Sequence, residues 1–197
     1  NGGATDAWLA SNRRTFDDLA KYMNPNNDRL WLYYNKGDVE RTPLWLRIIN
    51  GIYLWMSPYE VHGMWAYCQP VGSLFDDSDG DGGSMGVAFE DPRDGSLLLT
   101  RDWEGYRDGI NDLKYITTLE QVLAEKGADN PAVAQRAEAF LGQLRKEWWP
   151  SGLFLYGRDG LNGAVVRTMA ASHPIGSLQE MRRQAANYII ELLGIAE

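Results

Sequence analysis

The first 70 residues alternate between short apolar runs and longer segments with helical periodicity. Runs typical of strands lie at 4–10, 29–35 and 62–69. Between them, residues 15–23 and 43–56 carry hydrophobic side chains every three or four positions, which predicts helices. Because the connections are short and the strands are apolar on both faces, this order predicts an α/β fold with parallel strands covered by helices.

A long segment rich in aspartate and glycine, residues 70–95, follows the third predicted strand. It contains the run GVAFED, which is followed by PRDG and then by SLLLT. Proline, aspartate and glycine favour turns, so we expect the two runs to pair as a small hairpin across PRDG.

The rest of the chain is predicted to be helical. Thr100 is placed to cap a helix that stops at Gly127, and Asn130 with Pro131 supplies the cap and the first turn of the next helix. The sequence SLQE at 177–180 is a capping box, which predicts the start of the last helix. Both later helices carry an apolar stripe on one face, which indicates that they pack against the rest of the protein.

Composition and charge exclude several classes of function. Hydrophobic residues make up 44% of the 197 residues and the net charge is −8, which predicts a globular protein that repels phosphate backbones, so nucleic acid is not expected as a partner. No apolar run reaches the roughly 18 residues that a membrane span needs. The single cysteine, Cys68, excludes an internal disulfide and a cysteine-based zinc site. Because the first residue is Asn1, we expect a processed, trimmed or longer protein.

The sequence DSDGDG within the acidic segment begins like an EF-hand calcium loop. Asp77, Asp79 and Asp81 stand at loop positions 1, 3 and 5, and Gly82 stands at position 6. These three aspartates are therefore the candidate metal ligands of the chain, with calcium as the ion.

The remainder of the calcium motif does not match. Position 12, where a bidentate glutamate is needed, is Ala88, and a strand rather than a helix is predicted before the loop. Glu90 or Asp91 could fold back to supply the missing oxygens. Two interpretations stay open, an atypical calcium site and a solvated acidic loop, and the sequence favours the solvated loop.

Two groups of residues carry a resemblance to a known family. An aromatic strand at 31–33 precedes a helix with an Arg, Gly, Trp ladder, formed by Arg47, Gly51 and Trp55. A later helix follows a pattern of two arginines, a glycine, an aspartate and a tyrosine: Arg101, Arg107, Gly109, Asp112 and Tyr115. Together these features resemble the C-terminal end of the catalytic domain of glycoside hydrolase family 123 and its uncharacterised relatives, over residues 6–123.

The resemblance implies that the chain is the C-terminal portion of a (β/α)8 TIM barrel followed by a helical tail. It assigns residues 1–126 to the last βα units, including an acidic rim loop at 70–95, and residues 127–197 to a C-terminal helical extension packed on the barrel. Only about three parallel strands are present, whereas a barrel needs about eight. The missing N-terminal part of the same barrel, in the same or another chain, is therefore an expected partner.

The resemblance also implies chemistry on a carbohydrate. In similar enzymes the substrate's own acetamido group attacks the anomeric carbon, supported by an adjacent Asp–Glu pair. The resemblance puts that pair on a middle strand of the barrel that this chain does not contain, so no catalytic residue is assigned. The expected activity is hydrolysis of an N-acetylhexosaminide by the whole barrel, and the resemblance favours a secreted, periplasmic or cell-surface location.

Candidate substrate-binding residues lie at the C-terminal ends of the predicted strands, where barrel active sites are found. They combine aromatic planes, which suit the C–H faces of sugars, with amides, which suit hydroxyls: Tyr33, Asn35, Trp65, Tyr67 and Gln69. Alternation along one continuous strand would put Trp65, Tyr67 and Gln69 on the same face. The alternative is that the tyrosines and Trp65 are core residues.

Other polar residues are expected to be structural. Arg107 and Asp112 lie five apart on a helix, so we expect each to find its own partner and to tie the helix to the barrel. His62 and His173 have no metal-ligand partner at a suitable spacing. The hypotheses that remain beside the glycosidase are a non-catalytic carbohydrate- or calcium-binding module and a structural part of a surface assembly.

Overall fold

The computed structural model describes residues 24, 28–29, 31–35, 43–56, 60–65, 67–69, 85–148 and 173–195. For some of the strand residues it describes the backbone alone. The strand predicted at 4–10 and the helix predicted at 15–23 lie outside these ranges. Most described residues are helical, in five helices: α1 (Pro43–Asn50), α2 (Ile52–Met56), α3 (Arg101–Lys126), α4 (Pro131–Trp148) and α5 (Ile175–Leu193).

The described strands form only two-stranded ladders. The strands β1 (Trp31–Asn35) and β2 (Val61–Trp65) pair in parallel, with Trp31 beside Val61 and Asn35 beside Trp65. The other two ladders are antiparallel: β3 (Cys68–Gln69) with β4 (Met85–Gly86), and β5 (Ala88–Glu90) with β6 (Leu97–Leu99).

The prediction of a TIM barrel is wrong. Helices outweigh strands, and the segment after β2 folds into two successive antiparallel hairpins instead of continuing a parallel sheet. The physical reason is that the apolar run at 62–69 is not one strand: β2 ends at Trp65, and β3 pairs antiparallel with β4 instead of joining the parallel ladder. Of the expected parallel strands, the described residues contain one parallel pair, β1 with β2.

The centre of the fold is the close contact of α1 with α3. Two glycines one turn apart on α3, Gly105 and Gly109, face the backbone of α1. A Cβ atom built on Gly109 would lie 2.6 Å from the carbonyl oxygen of Arg47, and one on Gly105 would overlap the backbone of Pro43. The helices can approach this closely because these positions lack side chains, which explains glycine inside a helix despite its cost of about 1 kcal/mol.

A buried cluster of charges joins three helices. Asp112 on α3 is fully buried and accepts hydrogen bonds from the Nε (2.6 Å) and Nη2 (3.1 Å) atoms of Arg47 on α1. The Nε of Arg182 on α5 donates to the same carboxylate over 2.6 Å. Arg182 also donates to the backbone oxygen of Asp108 over 2.9 Å. Because both carboxylate oxygens are bonded, burying the charge does not leave it unpaired.

The hydrophobic core extends along the helices that carry this cluster. It includes Ile48, Ile49 and Ile52 of the first two helices and Ile116 and Leu119 of α3. Helices α4 and α5 cover it with the stripes that the sequence predicted, which are buried at these positions: Val133, Ala137, Leu141, Leu144, Leu178, Met181, Ala185 and Leu192.

Two tryptophans, Trp55 and Trp148, make aromatic contacts at the edge of the core. The guanidinium of Arg145 lies 4.0 Å from the ring centroid of Trp55, a cation–π contact that joins α4 to α2. The ring of His173 stacks on buried Trp148 with centroids 3.8 Å apart. His173 therefore packs against an aromatic ring at the edge of the core.

Several boundaries predicted from the sequence are confirmed and two are corrected. Thr100 caps α3, and the hairpin of β5 with β6 forms across the predicted turn. The helix predicted at 43–56 is interrupted at Gly51, which separates α1 from α2. The capping box at 177–180 does not start the last helix: α5 begins at Ile175, and the Ser177 hydroxyl donates to the Pro174 oxygen instead.

Within the described residues, no helix is both long and apolar enough to cross a membrane.

Candidate functional site

Tyr67 is the one predicted sugar-binding residue whose side chain is described. It lies between β2 and β3, so the expectation that it shares one continuous strand with Trp65 and Gln69 is wrong. Its side chain is 51% exposed. The alternative of a core tyrosine is therefore excluded for Tyr67.

The position of Tyr67 is fixed through its backbone. Its carbonyl oxygen accepts hydrogen bonds from the amides of Val87 (3.0 Å) and Ala88 (3.2 Å). Val87 is 1% exposed and lies between the two hairpins. This junction holds the residue that follows β2 against the start of β5.

The same junction fixes the start of α3. The Thr100 hydroxyl donates to the Val87 carbonyl oxygen over 2.6 Å and accepts from the Trp103 amide over 3.1 Å. A threonine N-cap both satisfies a free helical amide and sets the direction in which the helix begins. Val87 thus positions Tyr67 on one side and the first turn of α3 on the other.

Three aromatic rings meet beside this junction, and we call Tyr67, Trp103 and Tyr106 the aromatic cluster. Tyr67 meets Trp103 edge to face, with centroids 5.9 Å apart and planes at 83°. Trp103 and Tyr106 are nearly parallel, at 17° and 6.1 Å. Both arrangements are favourable for aromatic rings. Trp103 packs against the core while Tyr67 stays exposed, so the cluster is an anchored surface feature.

Polar groups lie on the same helical turns as the cluster. Glu104 and Arg107 form an ion pair, and both are about half exposed, at 46% and 54%. The tyrosine hydroxyls of Tyr67 and Tyr106 can each donate and accept a hydrogen bond. Aromatic planes and hydrogen-bonding groups therefore occur together at the start of α3.

Three of the remaining predicted residues are brought together by the ladder of β1 with β2. Tyr33 and Asn35 occupy alternate positions of β1, and Asn35 is beside Trp65 in the register. Gly63 is the partner of Tyr33. The register therefore puts the backbones of Asn35 and Trp65 side by side, with Tyr33 two positions earlier on β1.

Gln69 and the acidic segment belong to a different part of the chain. Gln69 pairs with Met85, the first residue of β4. The candidate calcium ligands Asp77, Asp79 and Asp81 lie outside the described residues. Among the residues that are described, no group of three or more potential ligands could hold a metal ion.

The carboxylate of Asp91 is hydrogen-bonded within the turn between β5 and β6. Asp91 is 2% exposed and accepts hydrogen bonds from the Arg93 amide (2.9 Å) and the Arg93 Nε (2.8 Å). These bonds from Arg93 lower the pKa of the Asp91 carboxyl. The turn closes at Gly95, whose φ of 71° favours glycine. Asp91 is therefore engaged in the turn, which removes one of the two oxygen donors proposed to complete a calcium loop.

The two polar residues of α3 singled out in the sequence have different roles. Asp112 does tie α3 to neighbouring helices, although not to the predicted barrel. Arg107 does not, because it is exposed and pairs with Glu104 on its own helix. Sequence patterns alone did not indicate Trp103 and Tyr106 as site residues, or Arg182 as a partner of Asp112. The one available signal was the spacing of Trp103 and Tyr106, which places them on neighbouring turns of the same helix.

The chain has no match among protein-family models, curated proteins or solved structures.

Proposed function

We propose that this protein binds carbohydrate at the aromatic cluster, as a non-catalytic binding surface. The observation that carries the proposal is the half-exposed ring of Tyr67, which Trp103 and the Val87 junction hold in a fixed position. An aromatic ring held in place loses little conformational entropy when a ligand stacks on it. Sugars present a C–H face that stacks on such rings and hydroxyls that bond to their polar neighbours.

The polar neighbours support a neutral ligand. Glu104 and Arg107 neutralise each other, and the chain as a whole carries a net charge of −8. An anionic ligand would be repelled by the overall field, whereas neutral hydroxyls can use both partners of the ion pair as acceptor and donor.

The test is calorimetric titration with β-1,4-linked N-acetylglucosamine oligomers. We expect Tyr67→Ala to weaken binding about tenfold, which corresponds to about 1.4 kcal/mol, and Tyr67→Phe to retain most of the affinity. Leu99→Ala is the matched control, since Leu99 is similarly exposed, at 49%, on β6. Absence of binding to every oligomer by the unmodified protein would exclude the proposal for this class of sugar.

Hydrolysis of N-acetylhexosaminides remains a prediction of the family resemblance alone. Its assay is the release of the aryl group from aryl N-acetylhexosaminides by the full-length gene product, because the resemblance puts the catalytic Asp–Glu pair outside residues 1–197. A rate above the buffer blank that is lost on heat denaturation would favour the enzyme, and a rate equal to the blank would favour the binding function.

A further inference from the structure

The N-terminal edge of the ladder of β1 with β2 carries an exposed indole. Trp31 is 68% exposed, more than any other large hydrophobic residue in the part of the chain that the structure describes. It begins β1 and lies beside Val61, the first residue of β2. Single exposed hydrophobic residues are common on protein surfaces, so the groups beside Trp31 decide whether it marks a binding site.

An exposed ion pair marks the same edge. Arg29, two residues before Trp31, pairs with Glu60, which immediately precedes Val61. Their side chains are 61% and 46% exposed. Because β1 and β2 are parallel and begin in register, residues just before the two strands lie at one edge of the ladder. The indole and the ion pair therefore share that edge.

The chemistry of this edge repeats that of the aromatic cluster. In both places an exposed aromatic ring accompanies an Arg–Glu pair of no net charge. A guanidinium has five N–H donors and a carboxylate has two acceptor oxygens, so a pair joined to each other can still bond to ligand hydroxyls.

We propose that Trp31 and the Arg29–Glu60 pair form a second subsite for a neutral sugar ring. The ligand class rests on the proposed function, but the location is independent of it. A protein partner is a poorer fit for this edge, since a stable interface buries about 800 Å² on each side and one indole supplies a small part of that area. A neutral glycan needs only the flat ring and the flanking hydrogen-bonding groups.

The two subsites lie at different ends of the parallel ladder. The five residues of β1 span about 13 Å from Trp31 to Asn35. Tyr67 comes two residues after the opposite end of β2. A single sugar ring is too small to cover that span, so a short oligomer would occupy one subsite and a longer one would gain from both.

The experiment compares the affinity of a disaccharide and a hexasaccharide of β-1,4-linked N-acetylglucosamine by calorimetry. We expect Trp31→Ala to weaken hexasaccharide binding about fivefold or more, while disaccharide binding changes less than twofold. Tyr67→Ala should weaken binding of both ligands. Trp31→Phe is the conservative variant and should recover most of the hexasaccharide affinity.

The outcomes separate the two proposals. If Trp31→Ala binds the hexasaccharide like the unmodified chain while Tyr67→Ala does not, the second subsite is overturned and the proposed function stands. If the unmodified chain binds neither ligand, both proposals fail. Sedimentation velocity adds a further check: a dimer that Trp31→Ala converts to a monomer would show that a second copy of the chain covers Trp31, which also overturns the subsite.

Discussion

Helix α3 carries two regions that use the same types of residue in opposite ways. In its middle, Asp112 is buried between Arg47 and Arg182, and every contact serves to hold helices together. At its start, Trp103 packs against the core and contacts both Tyr106 and the exposed ring of Tyr67. The charged residues, which usually suggest chemistry in a sequence, form the structural tie, while the aromatic residues, which usually suggest a core, form the accessible surface.

The difference indicates how the two regions depend on each other. Because the tie and the close glycine contacts fix α3 against α1, the first turn of α3 has a defined place relative to the core. Changes in the tie should therefore lower stability, whereas changes at Tyr67 should alter binding and leave stability unchanged.

The largest expected effect is at the buried tie. Asp112→Ala leaves the buried guanidinium of Arg47 without its carboxylate, while Arg182 keeps its contact with Asp108. Removing one partner of a buried ion pair costs about 3–5 kcal/mol. Chemical denaturation should show this loss. Asp129→Ala is the control, because Asp129 is 71% exposed and its contact with Lys126 is 3.8 Å long, so it should change stability by less than about 1 kcal/mol. Equal effects of the two substitutions would contradict the structural role of Asp112.

The glycine contact should show the next largest effect. Gly109→Ala places a methyl group against the backbone of α1, and overpacking of this kind costs about 1–3 kcal/mol. Gly142→Ala on α4 should have the opposite sign, since no atom lies within 4 Å of the added carbon and alanine is favoured in helices by about 1 kcal/mol. Thermal denaturation of both variants tests this, and stabilisation by Gly109→Ala would show that the helices are not in close contact.

The Val87 junction should give a smaller effect that also reaches the aromatic cluster. Thr100→Ala removes the cap of α3 and the bond to the Val87 oxygen, a loss of about 1 kcal/mol. Thr100→Ser keeps the hydroxyl and should retain stability. We also expect Thr100→Ala to weaken oligosaccharide binding, measured by calorimetry, because it loosens the turn that carries Trp103. If Thr100→Ala lowers stability but leaves oligosaccharide affinity unchanged, the Val87 junction does not position the aromatic cluster for binding.

The smallest effect should be a pH dependence at α5. Hydrogen bonds from Arg183 and Gln184 lower the pKa of Glu180 to about 2. A carboxyl with a depressed pKa adds stability above its unfolded-state pKa of about 4.3 and loses it as the pH falls towards the folded value. The melting temperature of the unmodified chain should therefore fall more between pH 5 and pH 2 than that of Glu180→Gln. Identical pH profiles would exclude this contribution.

The sequence predicted local features well where a few neighbouring residues determine them. The cap at Thr100, the turn before β6 and the buried stripes of α4 and α5 follow from short patterns and are confirmed. The barrel prediction failed at 62–69, where an apolar run conceals a break between β2 and β3. Hydrophobicity alone does not show where parallel pairing ends and antiparallel pairing begins, because both kinds of strand can have the same composition.

The candidate site was predictable only in part. Exposure of Tyr67 and the contact with Trp103 depend on pairing across 36 positions of the chain, which no local spacing reveals. The same is true of the tie: Arg182 lies 70 positions from Asp112. A sequence can indicate individual candidate residues, but only the tertiary structure shows which of them are in contact.

The most direct test of the division of α3 into a structural tie and a binding surface is a calorimetric titration of the Tyr67→Ala variant with the hexasaccharide, alongside its thermal denaturation. We predict binding about tenfold weaker than that of the unmodified chain, with a melting temperature unchanged within about 1 °C because a half-exposed surface ring contributes little to stability. Unchanged affinity with the same melting temperature would contradict the central claim.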